Sequence, residues 1–123
     1  MKRISPGTMS VADLVELFAK IVVAQDAALL GGENTKFNRL FSKMMEVSNE
    51  LKKRDGDQRT ELTRLFVYPN MQVRLQAAKL TLTVAPAEAR AQLQAIADSD
   101  WFPQAGDAGM SLLNLDRGVF KPI

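Results

Sequence analysis

The sequence predicts an all-α protein of about five to six helices, arranged as stacked helix pairs. Apolar residues recur every three or four positions through most of the 123 residues, which is the spacing of one helix face. Capping residues, glycines and prolines divide this pattern into segments of helical length. No stretch of useful length alternates apolar and polar residues as a half-buried strand does.

The first helix is predicted over residues 11–30. Ser10 followed by Asp13 resembles a capping box, in which the serine side chain accepts a hydrogen bond from the first turn. The pair Gly31-Gly32 ends the helix, because glycine adopts the left-handed C-cap conformation without steric cost.

A second helix and a short third helix follow. Asn34 or Thr35 can cap the second helix, and its basic last turn, residues 52–54, complements the helix dipole. The short third helix is predicted between Asp57 and Tyr68. The predicted apolar stripe of the second helix consists of Phe37, Leu40, Phe41, Met44, Val47 and Leu51.

The last three helices are predicted at about 70–84, 86–97 and 107–116. Asn70 is the expected N-cap of the first of these, and Pro86 fits the first turn of the second, where its missing N–H costs nothing. The two helices are joined by a single residue, so they must form an antiparallel hairpin.

Residues 73–80, opened by a proline and a cap, resemble the first helix of a HEAT or armadillo repeat. Small residues in such a helix let its neighbour approach closely, and Val and Leu fill the seam. Residues 86–93 resemble the second helix of the repeat. Residues 107–113 match residues 76–82 weakly, as a degenerate half-repeat does.

Three segments, residues 10–14, 70–74 and 104–110, are similar to a small bacterial family of uncharacterised, single-domain, armadillo-like proteins. The resemblance implies an α-α superhelix of HEAT/armadillo type over residues 10–123. It also implies a flexible tail over residues 1–9, since chains of this family often begin near the equivalent of Met9. The family has no established activity, so the resemblance supports a fold and not a function.

The residue inventory argues against an enzyme. The chain has no histidine and no cysteine, which removes imidazole bases, thiolate nucleophiles and their metal sites. It has no glycine-rich phosphate loop. Asp98, Asp100 and Asp107 could together hold a hard cation, but their spacing matches no calcium loop, and helix capping explains them better. We expect no catalytic residue, no cofactor and no metal.

Neither a membrane nor a secretion route is indicated. No segment approaches the roughly 20 apolar residues of a membrane span, and the basic N-terminus lacks the apolar stretch of a signal peptide. We therefore expect a cytoplasmic protein.

The acidic C-terminal end is the leading candidate for binding another protein. Its aspartates are opposed by few basic residues, and the single tryptophan lies among them. We expect Trp101 to pack in the core, whereas an exposed Trp101 would mark an interface. Helical repeats commonly present such surfaces to other proteins, as adaptors or immunity-type proteins do. The candidate partner-binding residues are Asp98, Asp100, Trp101, Asp107 and Asp116.

The alternative is a nucleic-acid binder that uses the basic segment 36–64. Its candidate phosphate ligands are Lys52, Lys53, Arg54 and Arg59. The net charge is only +2 and acidic residues interrupt the segment, so the field is too dilute to hold a duplex at physiological salt. Nucleic acid is therefore the less favoured partner.

Arg74 is predicted to be structural. The repeat resemblance favours a covered arginine in an ion pair with Asp107 or another nearby carboxylate.

Overall fold

The computed structural model describes residues 5–123, and all regular structure within that range is helical. It contains five α-helices and two 3-10 segments, and the described range has no β-strand. The chain forms two compact units, Met1–Glu61 and Leu62–Ile123. The prediction of an all-α protein is confirmed.

In the first unit, α1 (Val11–Leu30) packs against α2 (Asn34–Lys53). The side chain of Ser10 accepts a hydrogen bond from the amide of Asp13 at 3.1 Å, and Gly32 has a left-handed φ of 69° after the helix ends. The helix predicted over 11–30 is confirmed. Among the described residues of the unit, the largest fully buried apolar side chains are Leu14, Phe18, Val22, Met44, Val47 and Leu51.

Phe41 corrects the predicted stripe of α2. Leu40 and Met44 are buried as expected, but Phe41 is 39% exposed and Phe37 is half-buried. Their rings stack on each other with centroids 6.4 Å apart. The buried stripe of α2 is therefore narrower than the sequence indicated.

A 3-10 segment (Gln58–Val67) occupies the position of the short third helix. Leu62 and Leu65 are buried, and Phe66 is half-buried. Residues 6–8, in the predicted tail 1–9, form a 3-10 turn that contacts α2. Residues 1–4 of that tail lie outside the described range.

In the second unit, α3 (Met71–Leu80), α4 (Pro86–Ala97) and α5 (Gln104–Asp116) pack against one another. Asn70 caps α3 by accepting a hydrogen bond from the amide of Val73, and Pro86 occupies the first turn of α4. Both features were predicted. The shared core consists of Leu75, Ala78, Leu82, Ala89, Leu93, Ile96, Ala108 and Leu112.

Two predicted boundaries are wrong. The helix expected over 70–84 ends at Leu80, because the Thr81 hydroxyl bonds back to the Ala77 carbonyl and turns follow. The helix expected over 107–116 begins three residues earlier, where the amide of Ala105 donates to the carbonyl of Trp101 at 2.8 Å. In the described part of the chain, no helix has the length and apolar character needed to cross a bilayer.

Candidate functional site

The corner between α4 and α5 presents two adjacent aromatic side chains to solvent. Trp101 is 62% exposed and Phe102 is 68% exposed. The interpretation of Trp101 as a core residue is therefore wrong, and its alternative, an exposed aromatic at a helix corner, describes the structure. Exposed large aromatics are the side chains most enriched at the centres of protein interfaces.

Hydrogen bonds fix the backbone of this corner. The hydroxyl of Ser99 donates to the carbonyl of Ile96 at 2.6 Å and accepts from the amide of Trp101 at 3.1 Å. Asp100 lies between them with a left-handed φ of 59°, a conformation that Asp tolerates better than most residues. The aromatic side chains are thus exposed on an ordered backbone.

The exposed apolar surface continues along the outward side of α5. A Cβ built on Gly106 would lie 3.8 Å from Cδ1 of Phe102, so that ring lies over the glycine. Met110, one turn further on, is 56% exposed. Residues three and four apart share a helix face, which adds Gly109 and Leu113. We call Phe102, Gly106, Gly109, Met110 and Leu113 the α5 face.

The four candidate aspartates differ in their environment. Asp107 accepts from Lys79 at 3.0 Å and from Ser111 at 3.2 Å, and Asp116 pairs with Arg90. Asp98 accepts only a neutral hydrogen bond from Gln94. Within residues 5–123, neither Asp98 nor Asp100 has an ion-pair partner, and both are exposed. We call these two residues the acidic corner.

Arg74 does not make the ion pair that we expected. It is half-buried, and its Nε donates to the backbone carbonyl of Tyr68. The expected partner, Asp107, is taken by Lys79. Its partner is a backbone carbonyl and not a carboxylate, and a structural role for Arg74 stays a prediction.

The basic candidates of the first unit are largely engaged inside the chain. Arg59 is only 6% exposed. Its guanidinium donates two hydrogen bonds, of 2.9 and 2.7 Å, to the carboxylate of Asp57. The hydrogen bond from Arg59 lowers the pKa of Asp57 below its ordinary value. Lys52 is exposed, yet a single lysine makes a weak phosphate site.

Arg54 is a clamp on the N-terminal segment. Its Nε donates to the buried carboxylate of Glu50 at 2.6 Å, and its Nη2 donates to the carbonyls of Pro6 at 3.3 Å and Met9 at 2.8 Å. Lys53 pairs with the same carboxylate at 3.1 Å. These hydrogen bonds hold the pKa of Glu50 below its ordinary value, and the bond from Arg54 is the largest cause.

Neither a metal site nor a charged ligand cavity adds to the α5 face in the described part of the chain. In the described residues, no group of three or more acidic side chains is placed to hold a metal ion. A cavity of about 210 Å³ beside α5 is lined by Lys79, Leu82, Ser111, Asn114 and Phe120. Its one charged group, Lys79, is neutralised by Asp107, so the cavity offers no free charge to a ligand.

The chain belongs to the family described as "Domain of unknown function (DUF2019)", which matches residues 12–116. This confirms the family resemblance of residues 10–14, 70–74 and 104–110.

A solved structure is similar over almost the whole chain. It is the crystal structure of the protein RPA1889 from Rhodopseudomonas palustris CGA009, with 64% identity and a TM-score of 0.95. The similarity covers 98% of this chain and 100% of the other. No curated protein matches the sequence.

Proposed function

We propose that this chain is a non-enzymatic protein-binding module whose docking surface combines Trp101, the α5 face and the acidic corner. The exposure of Trp101, Phe102 and Met110 on ordered backbone carries the proposal. Contiguous apolar side chains exposed in this way mark interaction surfaces in soluble proteins.

The chemistry of the surface indicates the kind of partner. Covering apolar side chains stabilises a complex by about 25 cal/mol per Å² removed from water, so the aromatics and Met110 supply the affinity. The unpaired carboxylates of Asp98 and Asp100 at one end supply orientation and select a basic group. The partner is therefore a protein surface that pairs exposed apolar side chains with a cation.

The proposal includes a helical-repeat arrangement of armadillo or HEAT type for the second unit. In that arrangement α3 and α4 form one repeat, and α5 corresponds to the first helix of a second repeat. An inner helix of such an array is covered on two sides. Residues 117–123 form no helix over α5, and apolar side chains on the outward side of α5 are exposed.

An adaptor or immunity-type role in the cytoplasm fits these features by analogy. The inventory without histidine or cysteine supports a role without catalysis. Of the candidate acidic residues, Asp98 and Asp100 are the ones available to a partner, since Asp107 and Asp116 are in ion pairs.

The experiment is affinity capture from native cell extract, read by mass spectrometry. The bait variant Trp101→Ala/Met110→Glu is expected to lose the proteins that the wild type retains. The control Leu30→Glu changes an exposed apolar residue of the first unit and is expected to retain them. Equal capture by all three baits would contradict the proposed surface.

The nucleic-acid alternative is tested by titrating duplex DNA and RNA at two salt concentrations. We expect no binding tighter than about 1 μM at physiological salt. Salt-sensitive binding that is lost in Lys52→Glu/Lys53→Glu would support nucleic-acid binding over protein binding. Arg54 is left unchanged in this variant because it holds the N-terminal turn.

A further inference from the structure

We infer that the protein docked on the α5 face is a second copy of this chain, with the two α5 helices antiparallel about a two-fold axis near Gly109 and Met110. This inference rests on the proposed function and names the partner of the same surface. A two-fold interface requires a self-complementary surface, in which each end matches the other.

The charges at the two ends of α5 are complementary. The acidic corner lies at the N-terminal end, and the exposed Arg117 follows the C-terminal end. Within the described residues Arg117 has no ion-pair partner, and the same holds for Asp98 and Asp100. Three charges are therefore left unpaired at the ends of one apolar surface.

An antiparallel pair joins these charges twice. Phe102 and Arg117 stand at equal sequence distances from the midpoint between Gly109 and Met110. A two-fold axis at this midpoint places Arg117 of each copy beside Phe102 and the acidic corner of the other. There the guanidinium can pair with a carboxylate and stack on the exposed ring.

Gly109 gives independent support at the centre of the pair. A Cβ built on Gly109 would meet no atom of residues 5–123 within 4 Å. Glycine inside a helix is less stable than alanine, so packing within the chain gives no reason for it. At the crossing point of two helices, a missing side chain lets the backbones approach closely and lets Met110 pack across the axis.

The association is measured by sedimentation equilibrium over a range of protein concentrations. We expect the wild type to reach a dimer and Met110→Glu to weaken the dimer by at least about tenfold, since a carboxylate would be buried next to its own copy. Leu30→Glu, an exposed control outside the α5 face, is expected to dimerise as the wild type does. Thermal melts check that each variant remains folded.

A charge exchange tests the antiparallel geometry. Variant one is Asp98→Lys/Asp100→Asn, in which asparagine tolerates the left-handed backbone at position 100. Variant two is Arg117→Glu. Each alone sets like charges against each other at both ends and is expected to be monomeric at concentrations where the wild type is dimeric. Mixed in equal amounts, they restore opposite charges at both ends, and we expect a heterodimer.

The outcomes separate the inference from the proposed function. A wild type that stays monomeric at all concentrations, or a mixture that fails to associate, would overturn the second copy as the partner. If capture from extract still depends on Trp101 and Met110 in that case, the surface binds a different protein and the proposed function stands. If substitution of Trp101 and Met110 also leaves capture unchanged, both the second-copy inference and the proposed function are wrong.

Discussion

The ring of Phe102 lies across the start of α5, directly over Gly106. A Cβ at Gly106 would stand at ordinary contact distance, 3.8 Å, from Cδ1 of the ring. The ring is thus supported by a helix backbone on one side while 68% of the residue faces solvent. This contact links Phe102, at the α4–α5 corner, to the first turn of α5.

Gly109→Ala is expected to affect folding and binding in opposite directions. Alanine gains about 0.5–1 kcal/mol of helix stability over glycine, and the new methyl group lies more than 4 Å from the atoms of the described part of the chain that surround it. Denaturant titration of the monomer should show this gain. The same methyl group should weaken association by separating the facing backbones. If the alanine variant is more stable than the wild type and associates equally well, Gly109 does not lie in the interface.

Stability is expected to fall in acid through Glu50. Its folded-state pKa is held below the ordinary value of 4.5 by Arg54 first and Lys53 second. A group with a lowered folded pKa contributes stability above its unfolded pKa and loses it as the pH falls through the folded value. The melting temperature should therefore begin to drop below about pH 4.5.

The control for this pH dependence is Glu50→Gln. Glutamine keeps the size of the side chain but does not titrate, so this variant should be less stable at neutral pH and should lose less on acidification. Asp57 contributes in the same direction through Arg59. A Glu50→Gln curve parallel to that of the wild type would show that the Arg54 clamp does not contribute to the acid response.

Arg74→Ala is expected to reduce stability without any ligand present. The half-buried guanidinium donates to the Tyr68 carbonyl, and hydrogen bonds from charged donors contribute about 1.5–3 kcal/mol. The midpoint of denaturation should fall accordingly. Asp107→Asn should leave the contribution of Arg74 unchanged, because Asp107 pairs with Lys79; additive losses in the double variant would verify this.

The helices that could be predicted from the sequence are those with local signals at their ends. Ser10, Asn70 and Pro86 each fix a helix start through atoms within three or four residues, and the structure places them as predicted. The end of α3 was predicted too late, because the apolar pattern continues to Val84 and does not reveal the local bond from Thr81 to the Ala77 carbonyl.

The candidate site was predicted in part. The sequence singled out Asp98, Asp100 and Trp101, but charge composition could not show that Lys79 and Arg90 would neutralise Asp107 and Asp116. Those partners are more than 20 residues away in the chain. The α5 face was missed, although Phe102, Gly106 and Met110 recur at four-residue spacing opposite the buried Ala108 and Leu112. The spacing of apolar residues on two sides of one helix was the available signal.

The burial of Gln72 and Gln104 could not be predicted from the sequence either. The side-chain amide of Gln104 donates to the side-chain oxygen of Gln72 at 2.9 Å, with both residues buried. Glutamine is usually exposed, and only the packing of α5 against α3 brings these two together.

Hydroxyl-radical footprinting tests the docking surface most directly, because its most exposed side chains, Trp101, Phe102 and Met110, are also readily oxidised. Oxidation would be compared between the dilute monomer and the assembled form, whether dimer or captured complex, with the exposed Phe41 of the first unit as an internal reference. We predict that oxidation of all three drops on assembly while that of Phe41 is unchanged. Undiminished oxidation of Trp101, Phe102 and Met110 in the assembled form would contradict the proposed docking surface.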